Sequence, residues 1–338
     1  IQDLPNYTDE LIARMAEMNV RIISYAHCST GEIHFHPILN LHTQEGTEKY
    51  RNVLIETAKI VKKYRGSLCG EHGDGRLRAE MIPFMYGDKI YNYFKEIKST
   101  FDPWNIFNPG KIVGAPRMNT FLRVNPENNR NKISTYFNFD DYGGIERFAE
   151  KCNGSGDCRK PQELGGMMCP TFKATLNEKD STRARANMLR EMIINSTNAN
   201  PFDSKELYNV MDLCLMCKAC KSDCPSSVDI TKLKSEFLQH YYDKNGVPFR
   251  SWVVANISHI YKLASNFPSI SNYFLKNNFF SNIIKKAIGF AKERHFQLLS
   301  KTTLQKWYKK NYKHKADKPS VYLFNDEFTN YQDADIGI

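Results

Sequence analysis

The chain has 338 residues, of which 41% are hydrophobic and 25% charged, so it is long enough for two or three folded domains of ordinary composition. No run approaches the roughly eighteen consecutive apolar residues of a membrane-spanning helix, which argues against a membrane-embedded protein. The net charge of +10 is concentrated in residues 241–318, which hold fifteen Lys and Arg but three Asp and Glu. Such a basic segment can face nucleic acid, an acidic partner or an anionic membrane surface, or form a solvated helical connector, the interpretation we favour.

The first elements are a helix and a hairpin. An apolar stripe predicts a helix over residues 8–19. Alternating residues predict strands over 20–27 and 33–39, joined by a turn at 28–32 around Gly31. Because the chain begins with Ile rather than Met, we expect it to start inside a longer protein, so the lack of a visible signal peptide says nothing about targeting.

Three histidines of this hairpin are predicted to converge. His34 and His36 are two residues apart and therefore lie on one face of their strand. His27 ends the partner strand, across the turn from His34. Three imidazoles on one face predict a metal site or an acid–base site, although single strand histidines are more often hydrogen-bonded surface residues.

A glycine-rich loop supplies further polar groups. After a predicted helix over 47–65 and a short strand over 67–69, the sequence reads GEHGDG, which is not the dinucleotide fingerprint GxGxxG. Glu71 and His72 in this loop place a hard metal ligand beside a titratable imidazole. A helix over 88–100 and a proline-punctuated loop follow, so the first 110 or so residues predict an α+β domain with an antiparallel sheet covered by helices.

The run EHGDG, followed by DPWNIFNPGK, resembles the C-terminal cap domain of FAD-linked oxidases, a family that includes D-lactate, D-2-hydroxyglutarate and glycolate oxidising enzymes. The spacing of His27 and His34 also matches that family. The resemblance implies that His27, His34 and Glu71 bind a divalent metal (zinc, manganese or iron), that His72 is the catalytic histidine close to substrate and flavin, and that Glu71, His72, Asn108 and Lys111 belong to the cofactor-binding surface. We expect FAD itself to be held mainly by a binding domain that is absent from this sequence.

The cysteines form a second constellation. The run CLMCKACKSDCP has the bacterial ferredoxin spacing for an iron–sulfur cluster, with a zinc knuckle as the alternative. Because Cys169-Pro170 mirrors Cys224-Pro225, we assign Cys169 to the 4Fe-4S cluster of Cys214, Cys217 and Cys220. Cys224 would then join Cys152 and Cys158 in a set that lacks a fourth cysteine. This second set holds a three-iron cluster, recruits another ligand or stays empty.

The cysteine motifs flank a helix predicted over 181–192, whose Arg183, Arg185 and Arg190 would raise the potential of an anionic cluster. The arrangement resembles the mainly α-helical ferredoxin-type domain of glycolate oxidase and succinate dehydrogenase. We predict further helices over 227–242 and in 248–313, and a buried strand over 321–324 that resembles the start of a cysteine-rich domain. The predicted divisions are a cap domain at 1–114, a linker at 115–143, an iron–sulfur domain at 144–242, a basic helical connector at 243–318 and a truncated cysteine-rich domain at 319–338.

Together these features predict part of an FAD-dependent D-2-hydroxyacid dehydrogenase that passes electrons through iron–sulfur clusters to a quinone or a soluble carrier. The alternative is a non-catalytic electron-transfer module that docks to a separate flavoprotein, and a nucleic-acid partner is not expected. Seven of the nine cysteines lie in the cluster motifs, which favours a reducing compartment, the cytoplasm, with peripheral contact at the inner face of the membrane left open.

Overall fold

The computed structural model describes residues 2–27, 29–126, 133–196, 198, 200–312 and 321–338. The chain divides into two compact units, Ile1–Ser134 and Thr135–Ile338. Each unit has its own buried apolar residues. The finer division into five segments stays a prediction.

The first unit begins with a helix, a hairpin and a long second helix. The predicted hairpin is present as an antiparallel pair whose register runs from Arg21 opposite Ile38 to His27 opposite Glu32. The first helix starts earlier than expected, because Pro5 is accommodated in its first turn. The elements are α1 Leu4–Glu17, β1 Arg21–His27, β2 Glu32–Ile38, α2 Gln44–Lys63, α3 Ile82–Tyr86 and α4 Asp88–Phe101.

Two small apolar clusters hold this unit together. Leu11 and Met15 of α1 pack with Val53 and Ile60 of α2, with Phe35 of the hairpin against them. On the other side of α2, a second cluster is formed by Leu54, Ala58, Met81 and Met118. Within the described residues the sheet has these two strands alone, so the unit is richer in helix than the α+β layer we expected.

The strand predicted over residues 67–69 is wrong. This segment is irregular, and no strand pairs with it in the part of the chain that the structure describes. The Ser67 hydroxyl donates instead to the Cys69 carbonyl. Three residues between Gly66 and Gly70 offer too short a run to form a ladder without a neighbouring edge.

The second unit is helical. Its elements are α5 Ile145–Glu150, α6 Pro170–Thr175, α7 Thr182–Asn195, α8 Lys205–Asp212, α9 Ala219–Asp223, α10 Ile230–Asn245, α11 Phe249–Ala255, α12 Ile257–Ala264, α13 Pro268–Lys276, α14 Asn278–Ile288, α15 Leu304–Asn311, α16 Glu327–Tyr331 and α17 Ala334–Gly337.

Side-chain caps begin the helices that flank the cysteines. Ser181 accepts a hydrogen bond from the Ala184 amide at the start of α7, and Asp229 accepts one from the Lys232 amide at the start of α10. Such caps satisfy amides that have no intrahelical partner. The core between these helices contains Leu189, Leu207, Leu233 and Phe237, all fully buried.

The described part of the basic segment contains the short helices α11 to α15, with residues 289–303 irregular between the last two. None of the helices in the described ranges is long and apolar enough to cross a lipid bilayer. The buried strand predicted over 321–324 is wrong, because these residues are irregular and Val321 and Tyr322 are almost fully exposed. Among the described residues β1 and β2 pair with each other, and neither pairs with residues 321–324.

Candidate functional site

The turn end of the hairpin and the glycine-rich loop after residue 69 form one polar cluster. The strand register places Glu32 directly opposite His27, and His34 opposite Tyr25. Facing residues of an antiparallel pair lie on the same side of the sheet, so these side chains project together. The loop then adds Glu71 and His72 to the same group.

Glu71 is the focus of this cluster. Its carboxylate oxygen Oε1 lies 2.9 Å from His72 Nε2, 3.3 Å from His34 Nε2 and 3.8 Å from His27 Nε2. The His34 ring lies at a centroid distance of 5.0 Å from His27 and 5.9 Å from His72. The structure therefore brings together the residues that the sequence analysis assigned to a metal and to acid–base chemistry.

One ring nitrogen of His34 is left without a hydrogen bond. Its Nε2 is buried and has no hydrogen-bond partner in the described part of the chain. One donor atom each of His27, Glu32, His34 and Glu71 lies within 4.8 Å of the others. Two imidazoles with two carboxylates suit a first-row divalent ion, and an uncompensated buried nitrogen is costly unless such an ion binds it.

The sequence analysis missed Glu32. The signal was available in the hairpin register, because a turn centred on Gly31 places the first residue of the second strand opposite His27. His36 is correspondingly outside the group of four donors. Its Nε2 lies 3.1 Å from the Tyr25 hydroxyl, and the Tyr25 ring stacks on both His34 and His36.

A cleft of about 730 Å³ runs along the cluster and is lined by Glu32, His34, Glu71, His72 and Arg78, among others. Pockets of this size commonly accommodate small-molecule ligands. His72 is 71% exposed whereas His34 is 14% exposed, so His72 is the imidazole that a ligand in solution reaches first.

Arg78 fixes the glycine-rich loop from behind. Its Nη2 donates to the Gly73 carbonyl at 2.6 Å and to Cys69 Sγ at 3.2 Å, and its Nε lies 3.8 Å from the Asp74 carboxylate. Partial burial raises the pKa of Asp74, an effect that the charge of Arg78 partly offsets. These contacts hold the backbone that presents Glu71 and His72.

The proline-punctuated loop after α4 is anchored by Asp102. Its carboxylate accepts hydrogen bonds from the amides of Ile106 and Phe107 at 2.8 and 2.9 Å and from Lys98 Nζ. Burial alone would raise the pKa of Asp102, but the Lys98 and backbone hydrogen bonds outweigh it, and the pKa is lowered.

This loop brings its predicted cofactor residues near the glycine-rich loop. The Ile112 amide donates to the Gly75 carbonyl at 2.9 Å. Lys111 Nζ donates to Asn108 Oδ1 at 3.0 Å, so both predicted residues lie on one exposed turn.

The cysteines line two separate cavities in the second unit. Cys169, Cys214, Cys217 and Cys220 line one, and Cys152, Cys158 and Cys224 line the other together with Ser155 and Asp157. The eight cysteines that the structure describes are all free thiols. Four thiols around one cavity fit a cubane cluster, and three thiols beside oxygen-bearing side chains fit a site with a non-cysteine ligand.

The backbone turns the central cysteine run inward. Met216 and Lys218, the residues before Cys217 and after it, both adopt the left-handed conformation, with φ of 56° and 63°. Such φ values are uncommon for residues other than glycine and mark a loop held by its surroundings. The alternation of left-handed and ordinary residues explains how one short run directs three thiols to one cavity.

The thiols differ in their surroundings. Burial raises the pKa of Cys220 to about 11 and also raises the pKa of Cys158. Burial alone would raise the pKa of Cys169 too, but hydrogen bonds from the Thr171 hydroxyl and the Phe172 amide, with the Arg185 charge, lower it below its ordinary value.

Arg185 lines the first cavity and contacts one of its cysteines. Its side chain is 1% exposed, and its Nη1 donates to Cys169 Sγ at 3.6 Å and to Thr171 Oγ1 at 3.1 Å. Its Nε donates to the Val210 carbonyl, and its Nη2 lies 3.9 Å from Asp180. Hydrogen bonds and positive charge beside cluster sulfur atoms raise the reduction potential.

The other predicted arginines are placed differently. The backbone amide of Arg183 donates to Cys158 Sγ at 3.4 Å, while its guanidinium pairs with Glu178. Arg190 lies farther along α7 and contacts Asn187 and Glu191. The sequence analysis missed buried Lys234, whose Nζ donates to the carbonyls of Asp212 and Cys214 and supports the loop that enters the central cysteine run.

Comparisons with known families agree with this division. Residues 1–112 match the family of FAD linked oxidases, C-terminal domain, and residues 151–229 match the 4Fe-4S dicluster domain. The chain is thus similar to an FAD-linked oxidase C-terminal domain in its first part and to a 4Fe-4S dicluster domain in its second. This confirms the resemblance inferred from the EHGDG and cysteine motifs.

The two-domain chain is similar along its whole length to enzymes of D-2-hydroxyacid metabolism. It is 27% identical to a D-2-hydroxyglutarate dehydrogenase of Escherichia coli and 26% identical to one of Haemophilus influenzae, in each case over 99% of this chain and 37% or 36% of the relative. A D-lactate dehydrogenase of Archaeoglobus fulgidus is 30% identical over 29% of this chain and 21% of that protein. The chain thus spans little more than a third of its longest-matching curated relatives. No solved structure matches it.

Proposed function

We propose that this chain is the metal-binding cap and iron–sulfur part of a flavin-dependent dehydrogenase that oxidises a D-2-hydroxyacid, D-2-hydroxyglutarate or D-lactate, to the 2-oxoacid. The observation that carries the proposal is the pairing, in one chain, of the His27, His34, Glu71 and His72 cluster with two cysteine-lined cavities. A protein that only carries electrons does not need the histidine–glutamate cluster, and a simple hydroxyacid oxidase does not need the cysteine-lined cavities.

The hairpin residues would hold a divalent metal through His27 Nε2, His34 Nε2 and the Glu71 carboxylate. The unpartnered nitrogen of His34 and the short distances between the donor atoms support this role. When bound, the metal polarises the substrate's hydroxyl and carboxylate, FAD accepts a hydride, and the clusters pass on single electrons.

His72 would act as the general base. Its imidazole is largely exposed in the cleft wall and is oriented by the 2.9 Å contact with Glu71. It takes the proton of the α-hydroxyl while the α-hydrogen leaves with its electron pair, so the substrate loses one proton and one hydride. A 2-oxoacid results.

Asn108 and Lys111 would face the flavin from the cap side. The hydrogen bond of Ile112 to Gly75 keeps their turn beside the glycine-rich loop. Phe101, the last residue of α4, and Trp104 of the same loop are 80% and 82% exposed, as expected for side chains that pack against a flavin-bearing domain or subunit.

Arg185, Thr171 and Lys234 would tune and support the electron-transfer sites. The guanidinium stabilises extra negative charge beside Cys169, which favours reduction of the cluster held there. A quinone or an electron carrier would be the acceptor. Free thiols suit a reducing compartment, so we place the reaction in the cytoplasm or at the inner face of its membrane.

The test uses the native assembly, purified anaerobically through a tag on the gene that encodes this chain, so that the flavin-bearing part is retained. D-2-hydroxyglutarate or D-lactate should reduce the clusters, seen by EPR, and an artificial dye, whereas the L-enantiomers should not. His72→Asn should lower kcat about 10²- to 10⁴-fold while the iron content is unchanged.

The matched control is His259→Asn, which changes an exposed histidine of the second unit and should leave kcat unaltered. The proposal fails if neither D-hydroxyacid reduces the assembly although a chemically reduced flavoprotein still delivers electrons to the clusters. That result would establish the electron-transfer module instead.

A further inference from the structure

Glu32 occupies a position that the sequence motifs did not single out. It is the first residue of β2 and pairs directly with His27 across the hairpin. One of its carboxylate oxygens lies within 4.8 Å of a donor atom of His27, of His34 and of Glu71. The carboxylate thus joins the same group of atoms as the three residues assigned to the metal.

Glu32 also lacks any competing partner. Among the described residues no hydrogen bond or ion pair reaches its carboxylate, although it is half-buried. A carboxylate withdrawn from water needs compensation by a cation or by donors. The nearby His34 Nε2 is also buried without a hydrogen bond, which points to a shared cation.

Gly70 shows how closely the loop approaches this carboxylate. A Cβ atom built on Gly70 would lie 2.4 Å from Glu32 Oε1 and 2.6 Å from its Cδ. Gly70 is not among the glycines with positive φ, so the backbone conformation does not require glycine. The missing side chain instead provides the space in which Glu32 lies beside Glu71.

We propose that Glu32 is a fourth protein ligand of the divalent metal, an inference that rests on the metal site of the proposed function. The two carboxylates of Glu32 and Glu71 then neutralise the charge of the ion, and two neutral imidazoles complete the set of four protein ligands. A six-coordinate ion such as Mn²⁺ or Fe²⁺ keeps two positions free, which is the number that the hydroxyl and carboxylate of a 2-hydroxyacid occupy. Zinc, which usually takes four ligands, would be closed by this set.

The experiment measures binding of Mn²⁺ alone to the 338-residue chain, with its iron–sulfur sites reconstituted first, by EPR of free Mn²⁺ and by calorimetry. Glu32→Gln keeps the side-chain shape and removes the charge. We expect it to weaken Mn²⁺ binding at least ~10-fold, since even outer-shell partners of a metal ligand are worth 10- to 100-fold in affinity. Glu96→Gln, an exposed carboxylate of α4, should have no effect.

A second variant reaches the same carboxylate from the loop. Gly70→Ala places a methyl group against the flexible end of Glu32, so the fold tolerates it but the carboxylate must move. Mn²⁺ binding should weaken as in Glu32→Gln, with unchanged far-UV circular dichroism and cluster absorbance.

The outcomes separate the two claims. The role of Glu32 would be overturned if Glu32→Gln and Gly70→Ala bind Mn²⁺ within about 2-fold of the unaltered chain while His34→Ala abolishes binding. The proposed metal site would then remain intact. Binding that is absent from the unaltered chain, or that His34→Ala leaves unchanged, would contradict the metal site of the proposed function itself.

Discussion

The two candidate sites of this chain are built in opposite ways. The hairpin site places nitrogen and oxygen donors along an open cleft, and its His27 and His72 are more than half exposed. The cysteine sites enclose sulfur atoms among helices, and the cation beside them, Arg185, is fully buried. His34 is the buried member of the open site, and Cys217 is the exposed member of the enclosed one.

The difference follows from what each site handles. A hydroxyacid must enter, bind and leave, so its ligands need an exposed face and the loop that holds them needs glycine. An electron needs no opening, and a dry surrounding with a few oriented donors sets the reduction potential. Mutations that disturb the enclosed cysteine sites or the open hairpin site therefore test this difference.

The largest expected effect is that of Cys217→Ser. Cys217 is exposed but lines the same cavity as Cys169, Cys214 and Cys220, and serine is a poor ligand for iron. Iron analysis after anaerobic reconstitution should show a loss of about four irons per chain, and the EPR signal of the reduced cubane should vanish.

Cys69→Ser is the matched control, because Cys69 is a free thiol of the first unit that lies in neither cavity. Its iron content should equal that of the unaltered chain. Equal iron content in Cys217→Ser would break the assignment of this cavity to a cluster.

Replacing Arg185 by methionine should have the next largest effect. The change leaves the buried Asp180 carboxylate without its cation and removes donors from Cys169 Sγ and the Val210 carbonyl. Breaking a buried ion pair costs about 3 to 5 kcal/mol, so urea should bleach the cluster absorbance at a clearly lower concentration. The reduction potential should also fall.

Arg183→Gln tests whether burial is the reason for the large loss of stability expected when Arg185 is replaced. The Arg183 guanidinium pairs with Glu178 in a partly exposed position, and such pairs contribute about 1 kcal/mol or less. Equal sensitivity to urea in the two arginine variants would contradict the contrast between an enclosed and an open environment.

The smallest effect concerns the loop after α4. Hydrogen bonds to Asp102 depress its pKa, so their stabilisation is complete above the unfolded pKa of roughly 3.9 and is lost as the pH falls through the lower folded value. The amides of Ile106 and Phe107 should therefore lose protection from hydrogen exchange in acid. In Asp102→Asn their protection should be weaker at neutral pH and almost independent of pH; an unchanged acid transition would refute the role of Asp102.

The hairpin was predictable because its pattern is local. Alternating residues on both sides of Gly31 determine the strands, and the strand period places His34 and His36 on one face. The strand period alone does not distinguish His34 from His36, because their placement depends on how the loop at 70–75 folds back on the strands. The family resemblance supplied the expectation that His27 and His34 join Glu71. The structure selects His34 and leaves His36 with Tyr25.

The strands expected over 67–69 and 321–324 failed for a common reason. A short run of β-forming residues becomes a strand if a neighbouring edge offers hydrogen bonds, and sequence alone does not reveal that edge. In contrast, the grouping of Cys169 with the central cysteine run was inferred from its following proline, and the same four thiols line one cavity. The contact of Arg185 with Cys169 depends on the rotation of α7 about its axis, which the sequence alone does not specify.

The measurement that tests the account most directly is anaerobic analysis of iron, acid-labile sulfide and one further divalent metal in the purified chain and in His34→Ala. The account predicts about four to eight irons with matching sulfide in both proteins, and one divalent ion that His34→Ala loses. Zinc bound without acid-labile sulfide after reconstitution would contradict it, because the cysteines would then form structural zinc sites rather than a path for electrons.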